Sequence, residues 1–379
     1  MIPGVSCPDT LIPLDIDVDP LIDKQDILSK FDINNTDHQV LHLTDSILKS
    51  NVLAIFNSRD LYVDKIDVWR WNLSNMQLVT AHTDGNYKDR TARQVGMNWS
   101  LSDDASTVDF YDTSKGTYEF ENLVTRSHAT WSFPEGTLPM VQWNNRYPSL
   151  LNTQVPHNVT GPVGNFRYSM TIKFKDNPTF KEVSDKLWDL RLDLDWWETP
   201  ITDTEWDAIK NEVISIEQIE GVVPDIKTKI SSYRLPTEHA PNIKEILDRR
   251  IKRKLKSLRI FIMKPGYKAG MHIDYDQWLK IVPRYALNIP LYGCEDSFVE
   301  FHRNTGEQGT DSNEETGVGG YLYPKDYDKV FFNSKLNMLT PKLVRIDVPH
   351  VVDNFSTHER KILSIRFFEE VGDLPSNII

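Results

Sequence analysis

The chain carries one pattern of polar residues twice, at an offset of 190 to 193 positions over its 379 residues. A chain that repeats itself in this way folds into two like domains. The earlier copy opens at Ala81–Gly85 (AHTDG) and the later at Met271–Asp276 (MHIDYD), each with a His-x-Asp triplet: His82 and Asp84, His272 and Asp274. Fourteen residues after each Asp comes an Asn in an apolar run, Asn98 in GMNWSL and Asn288 in ALNIPL. Each half then has Val-Pro-His-x-Val, with His157 in one and His350 in the other. Ten residues on from each of these histidines, an arginine opens a β-like run, Arg167 in RYSMTIKF and Arg360 in RKILSIRF.

Around these landmarks the texture is that of many short strands with Gly and Pro turns, which indicates a sandwich or barrel. Ile66–Leu73, Val95–Leu101, Ser106–Tyr111, Asn152–Val159 and Arg167–Phe174 read as strands of the first half. Ser257–Met263, Tyr285–Leu291, Ser297–His302, Leu343–Val348 and Arg360–Phe367 read as strands of the second, with a loop over 303–320. Ser106–Tyr111 (STVDFY) corresponds to Ser297–His302 (SFVEFH). Between the halves the period changes. Thr202 and Glu205 form a capping box, and Trp206, Ile209, Val213 and Ile216 follow at helical spacing. A second helix follows Pro241. Its basic run, Arg249 to Lys256, is read as a solvated face rather than a phosphate site. The expected division is an N-terminal arm and first domain over 1–177, a helical connector over 178–256 that packs on the second barrel, and a second domain over 257–379.

The net charge of −12 argues against a chain that coats nucleic acid, because backbone binding relies on Lys and Arg. A composition of 39% hydrophobic and 26% charged residues is globular, and no run is long enough to span a membrane. The N-terminus lacks the basic start and apolar centre of a signal peptide, so a cytoplasmic location is expected. Cys7 and Cys294 are expected to be free thiols.

In an extended segment residues i and i+2 project to one side, so His and Asp two apart reach one ion from one strand end. A His from a later strand completes two imidazoles and one carboxylate on one face, the arrangement of non-haem Fe(II) oxygenases. A guanidinium nearby answers a carboxylate with two parallel charge-assisted hydrogen bonds. Asn98 and Asn288 are placed to bond a cosubstrate or orient a ligand, or else to make structural hydrogen bonds.

His-x-Asp, a later His and an Arg ten residues on together resemble the 2-oxoglutarate/Fe(II)-dependent dioxygenases, in particular the aspartyl/asparaginyl β-hydroxylases and prolyl hydroxylases. The resemblance covers about residues 60–175 and 257–368. It implies a mainly β fold with flanking helices: two tandem double-stranded β-helix domains, jelly-roll and cupin-like, joined by a helical segment. It implies Fe(II) held by His82, Asp84 and His157 and again by His272, Asp274 and His350. Arg167 and Arg360 would hold the distal carboxylate of 2-oxoglutarate. The implied reaction is hydroxylation of a protein side chain or small molecule, with one or both sites working. The 75 and 78 residues between first and last His exceed those of compact members, so an insertion is expected in each half.

Several alternatives stay open at this level. Arg366 rivals Arg360, lying on the same strand face six residues on. Arg93 and Arg284 are substrate contacts or salt-bridge partners, and Tyr275 and Trp278 line a substrate pocket or pack. His128, His302 and His358 have no repeat partner. Gly317–Gly320 is not read as a phosphate loop. A different class of function is a non-catalytic structural or binding module, such as a component of a larger assembly, with a texture resembling that of virus-encoded proteins. Zinc-supported hydrolysis is a third, and nucleic-acid demethylation a minor fourth.

Overall fold

The computed structural model describes residues 10–18, 24–32, 34–35, 39–72, 81–84, 93–101, 106–123, 126–145, 147–161, 166–192, 194–224, 228–275, 282–311 and 321–368. Trp278, Cys7, Gly317–Gly320 and the side chain of His128 lie outside the described residues. The described residues divide into two compact units, one ending at Leu194 and the other beginning at Asp195. This boundary lies within the segment 178–256 that the sequence reads as a helical connector. The helix Phe180–Lys186 stays with the first unit because it packs beside the strand Ser149–Asn152.

In the first unit one sheet runs, from edge to edge, through Leu11–Pro13, Ser149–Asn152, Val95–Ser100, Phe166–Phe174, Val63–Asn72 and Gln39–Leu43. All of these pairs are antiparallel. A second sheet runs Val141–Asn144, Thr107–Phe110, His157–Thr160, Ala81–Asp84, Arg126–Ser132 and Thr117–Leu123. From Val63–Asn72 on, the chain crosses repeatedly between the two sheets, pausing in the second for the run Thr107–Phe110 to Val141–Asn144, which is the winding of a double-stranded β-helix with an inserted hairpin. Leu11–Pro13, inside the segment expected to be an arm, is an edge strand of the first sheet.

The second unit repeats this order. Its first sheet runs Trp196–Glu198, Lys342–Arg345, Tyr285–Tyr292, Arg360–Phe367, Leu255–Met263 and Ile230–Leu235. Its other strands run Tyr267–Lys268, His350–Asn354, Ser297–Asn304 and Val330–Asn337, with Ile273–Asp274, Tyr321–Pro324 and Gln308–Asp311 as a companion ladder. Even the edge strands correspond, so the fold is two tandem jelly-roll barrels.

The ladders confirm the sequence correspondence rung by rung. Asn98 stands between Ser149 and Thr171, and Asn288 between Lys342 and Ser364. His157 stands opposite His82 and Phe110, and His350 opposite His272 and Phe301. The insertions implied by the wide His–His spacing are hairpins. Thr117–Leu123 with Arg126–Ser132 serves the first unit, and Gln308–Asp311 with Tyr321–Pro324 the second. The latter hairpin occupies part of what was expected to be a loop over 303–320.

Arg360–Phe367 alternates because a strand shows one set of residues to each side. Arg360, Ile362, Ser364 and Arg366 face the barrel interior and line its cavity. Leu363 and Ile365 face outward yet are fully buried, because helices cover this sheet. The helix Asp203–Glu217 begins at the expected capping box on Thr202 and Glu205. Trp206 Nε1 donates to Pro290 O at 2.7 Å, and Lys361 pairs with Glu217 at 2.6 Å. On the helix Pro241–Arg250, Arg249 and Arg250 both pair with Glu205, at 2.9 and 2.7 Å. Those two basic residues thus tie one helix to the other. In the first unit the helix Ser50–Asn57 is anchored by Phe56, edge-on to Phe174 at 5.5 Å. Among the described residues no helix is long and apolar enough to cross a membrane.

Candidate metal centre

In the second unit the two histidines are clamped opposite each other by the backbone. His272 N–H donates to His350 O at 3.0 Å, and His350 N–H donates to His272 O at 2.8 Å. Such a doubly bonded antiparallel pair sends both side chains to the same face, so the rings lie 4.4 Å apart. Asp274, two residues on, projects to that face as well. Its Oδ1 lies 3.6 Å from His272 Nε2 and 3.9 Å from His350 Nε2. The three donor atoms all fall within 4.8 Å of one another.

The protonation pattern suits a metal. His272 Nδ1 lies 2.7 Å from Gly270 O, and His350 Nδ1 lies 2.9 Å from Val348 O. A carbonyl oxygen only accepts, so both Nδ1 atoms carry the proton and both Nε2 atoms present a lone pair. Burial, then the neighbouring His272, push His350 down to about 4, which keeps the ring neutral. Burial would raise the Asp274 carboxyl, but Arg366, His350 and His272 outweigh it and hold it below its usual range. Arg366 pairs with Oδ2. Oδ1 is thereby left facing the two imidazoles.

A cavity of about 220 Å³ opens from this cluster into the barrel. Arg360 lies in its wall, only 4% exposed, and its Nε donates to Ser297 Oγ at 3.1 Å. Among the described residues no carboxylate pairs with this guanidinium, and burial pushes its pKa down. Asn288 also lines the cavity, and its buried Oδ1 has no hydrogen-bond partner. Arg360 and Arg366 both line the cavity and differ in placement: Arg366 pairs with Asp274, while Arg360 is buried with no carboxylate partner among the described residues.

The first unit holds the same residues differently. His82 and His157 share a rung, with rings 4.6 Å apart, and His157 Nδ1 lies 2.9 Å from Val155 O. Asp84, however, is gripped by Arg93, whose Nε donates to Oδ2 at 2.6 Å and whose Nη2 bonds the same oxygen. Burial would raise the Asp84 carboxyl, but Arg93, then His157 and His82, bring it down to about 2. Among the described residues only His272, Asp274 and His350 converge within 4.8 Å; His82, Asp84 and His157 do not. Asn98 donates from Nδ2 to Thr171 Oγ1 at 2.7 Å and accepts from Asn145. It is a structural amide here. Arg167 is fully buried opposite Trp71, which stacks with Trp69 at 5.2 Å. These tryptophans occupy the rungs that Met263 and Phe261 occupy in the second unit, where both line the cavity.

Tyr321 and Tyr323 were not singled out from sequence, yet they line the cavity where Tyr275 does not. Tyr321 stands opposite Asp274 and meets the His272 ring edge-on at 4.5 Å. No local signal marks it, because the hairpin that carries it reads as a polar loop. Arg345, also in the cavity wall, is held by Asp347 at 2.8 Å. His302 lies 3.9 Å from Glu300, and His358 approaches Tyr292, both away from the cavity lining.

No protein-family model matches the sequence, and no curated protein sequence matches it. Among solved structures, the chain aligns with oxalate decarboxylase from Bacillus subtilis at 9% identity over 97% of this chain and 78% of that one, with a TM-score of 0.20. It aligns likewise with Lactobacillus farciminis oxalate decarboxylase in its formate complex, at 8% identity over 97% and 88%, with a TM-score of 0.21. Overlaps of that size carry no argument about activity, and the fold is read from the strand order above.

Proposed function

We propose that the second barrel is a 2-oxoglutarate- and Fe(II)-dependent oxygenase centre that hydroxylates a protein side chain or a small molecule. The observation that carries this reading is Arg360: a buried guanidinium with no carboxylate partner among the described residues, in the same cavity as two imidazoles and one carboxylate. A buried charge without a partner is costly. A small dicarboxylate that meets a metal with one end and Arg360 with the other removes that cost.

In this reading His272 Nε2, His350 Nε2 and Asp274 Oδ1 would hold the metal. Arg366 keeps Oδ2 turned away, so Asp274 binds through one oxygen. Arg360 receives the distal carboxylate through charge-assisted hydrogen bonds, and Asn288 offers its amide beside it. The apolar wall of Phe261, Met263 and Ile362 keeps water from the reacting group. Bound Fe(II) supplies the redox chemistry, by which O₂ and 2-oxoglutarate convert C–H to C–OH with release of succinate and CO₂. Anaerobic Fe(II) and 2-oxoglutarate are expected to give a weak visible charge-transfer band, absent in Arg360→Gln. If neither the band nor succinate release is found in the wild type, the reading fails. Metal analysis of protein purified without chelator separates iron from zinc.

For the first barrel we favour a non-catalytic role, because His82, Asp84 and His157 do not converge as the second set does, and Asn98 is already bonded to Thr171 and Asn145.

A further inference from the structure

One rung crosses the inner face of the first sheet in each unit, and the two rungs carry different charges. In the first unit it reads His42, Asp67, Thr171, Asn98, Ser149. In the second it reads Arg234, Arg259, Ser364, Asn288, Lys342. The first rung is closed by its own bonds. His42 Nδ1 meets Asp67 Oδ1 at 2.7 Å, Lys173 pairs with Asp67 Oδ2, and Asn98 donates to Thr171. Nothing on it calls for a ligand.

At the position of Asp67 the second unit has Arg259, and at the position of His42 it has Arg234. Two like charges stand directly opposite each other, which destabilises a ladder. The position of Lys173 is taken by Arg366, which turns to Asp274 instead. Among the described residues no carboxylate pairs with either Arg234 or Arg259. Strand parity puts both on the face whose residues Ile230, Phe261 and Met263 line the cavity, Arg259 half-buried and Arg234 exposed at the sheet edge, just beyond the lining itself. Arg259 stands opposite Ser364, two residues before Arg366 on the strand whose inward side chains line the cavity. Further along the same rung, Asn288 adds its unpaired Oδ1.

We propose that this rung binds a carboxylate of the molecule oxidised at the metal, with Arg259 as its principal partner and Arg234 beside it. The assignment to substrate rests on the oxygenase reading, in which Arg360 is already occupied by the cosubstrate; the anion site itself does not. The planar fork of Arg suits a carboxylate, and the rung meets the cavity at Ser364 and Asn288.

The test is calorimetric titration of the full-length protein, anaerobic with Fe(II) and saturating 2-oxoglutarate, with butyrate and its uncharged analogue butyramide. Butyrate is expected to bind at least tenfold more tightly than butyramide. Arg259→Gln is expected to lose that preference, and Arg259→Lys to keep part of it. Removal of one of two facing like charges leaves a folded protein, so Arg259→Gln is expected to melt at or above the wild-type temperature. Equal binding of the two probes, no binding of butyrate, or unchanged binding to Arg259→Gln overturns the proposal. If 2-oxoglutarate gives no band while butyrate binding depends on Arg259, the oxygenase reading fails and the anion site stands.

Discussion

At the scale of single residues, the second site divides its labour between ligands and the groups that hold them. His272→Ala is expected to weaken metal binding by more than about 100-fold, beyond the ~10–100-fold typical for loss of a supporting partner. Arg366→Gln should fall within that smaller range, because Asp274 would keep its place but lose the cation on Oδ2. Both are read by metal titration. Arg360→Met carries two opposite expectations: 2-oxoglutarate binding is lost, and the ligand-free protein becomes more stable by roughly 1–4 kcal/mol as an unpaired buried charge is replaced by an apolar side chain. Thermal melting without ligand checks the second. His350 gives the pH dependence. Its folded pKa of about 4 lies below the value of 6.5 for a free imidazole, so the unfolded chain binds more protons between those values. The stability it contributes is complete above about pH 6.5 and is lost as pH falls toward 4. Urea midpoints of the metal-free protein across this window should slope downward, less steeply in His350→Asn.

At the scale of elements, each metal-type strand is flanked by an inserted hairpin rather than crossed by a loop. Asp84 stands opposite His128 on the hairpin strand of the first unit, and Asp274 opposite Tyr321 on that of the second. The extra residues between first and last His therefore widen the sheet beside the site and supply a new wall. The strands Val330–Asn337 and Ile230–Leu235 were not seen in the sequence, because VFFNSKLN and ISSYRL lack clean alternation. Their pairing partners, Ser297–Asn304 and Leu255–Met263, draw them into the sheets. The capping box at Thr202 was legible because its two side-chain bonds depend only on neighbours three residues apart. Thr202→Ala should cost about 1 kcal/mol, measured as a lowered denaturation midpoint with metal binding unchanged.

At the scale of the whole molecule, the duplication has kept the fold and changed the charge inside it. Asp67 with Lys173, and Asp84 with Arg93, leave the first barrel internally paired. In the second, Arg360 is buried and Arg259 half-buried with no carboxylate paired to either among the described residues. One equivalent of metal per chain is the expectation, lost in Asp274→Ala and retained in Asp84→Ala. Two equivalents in the wild type would show that Arg93 yields its hold on Asp84 when metal is present.

The repeat and a β sandwich or barrel in each half were legible in the sequence alone, because strand alternation is local and a duplicated spacing survives divergence; the jelly-roll winding came from the resemblance. Which copy gathers its ligands was decided by tertiary structure. The reach of Arg93 to Asp84 spans nine residues, but that of Arg366 to Asp274 spans ninety-two, and neither spacing says that the three donor atoms converge in one copy alone. The charge of a barrel interior is likewise a sum over strands far apart in the chain. Only the ladder that lines up Arg234 with Arg259, and His42 with Asp67, shows where one barrel is satisfied and the other is not.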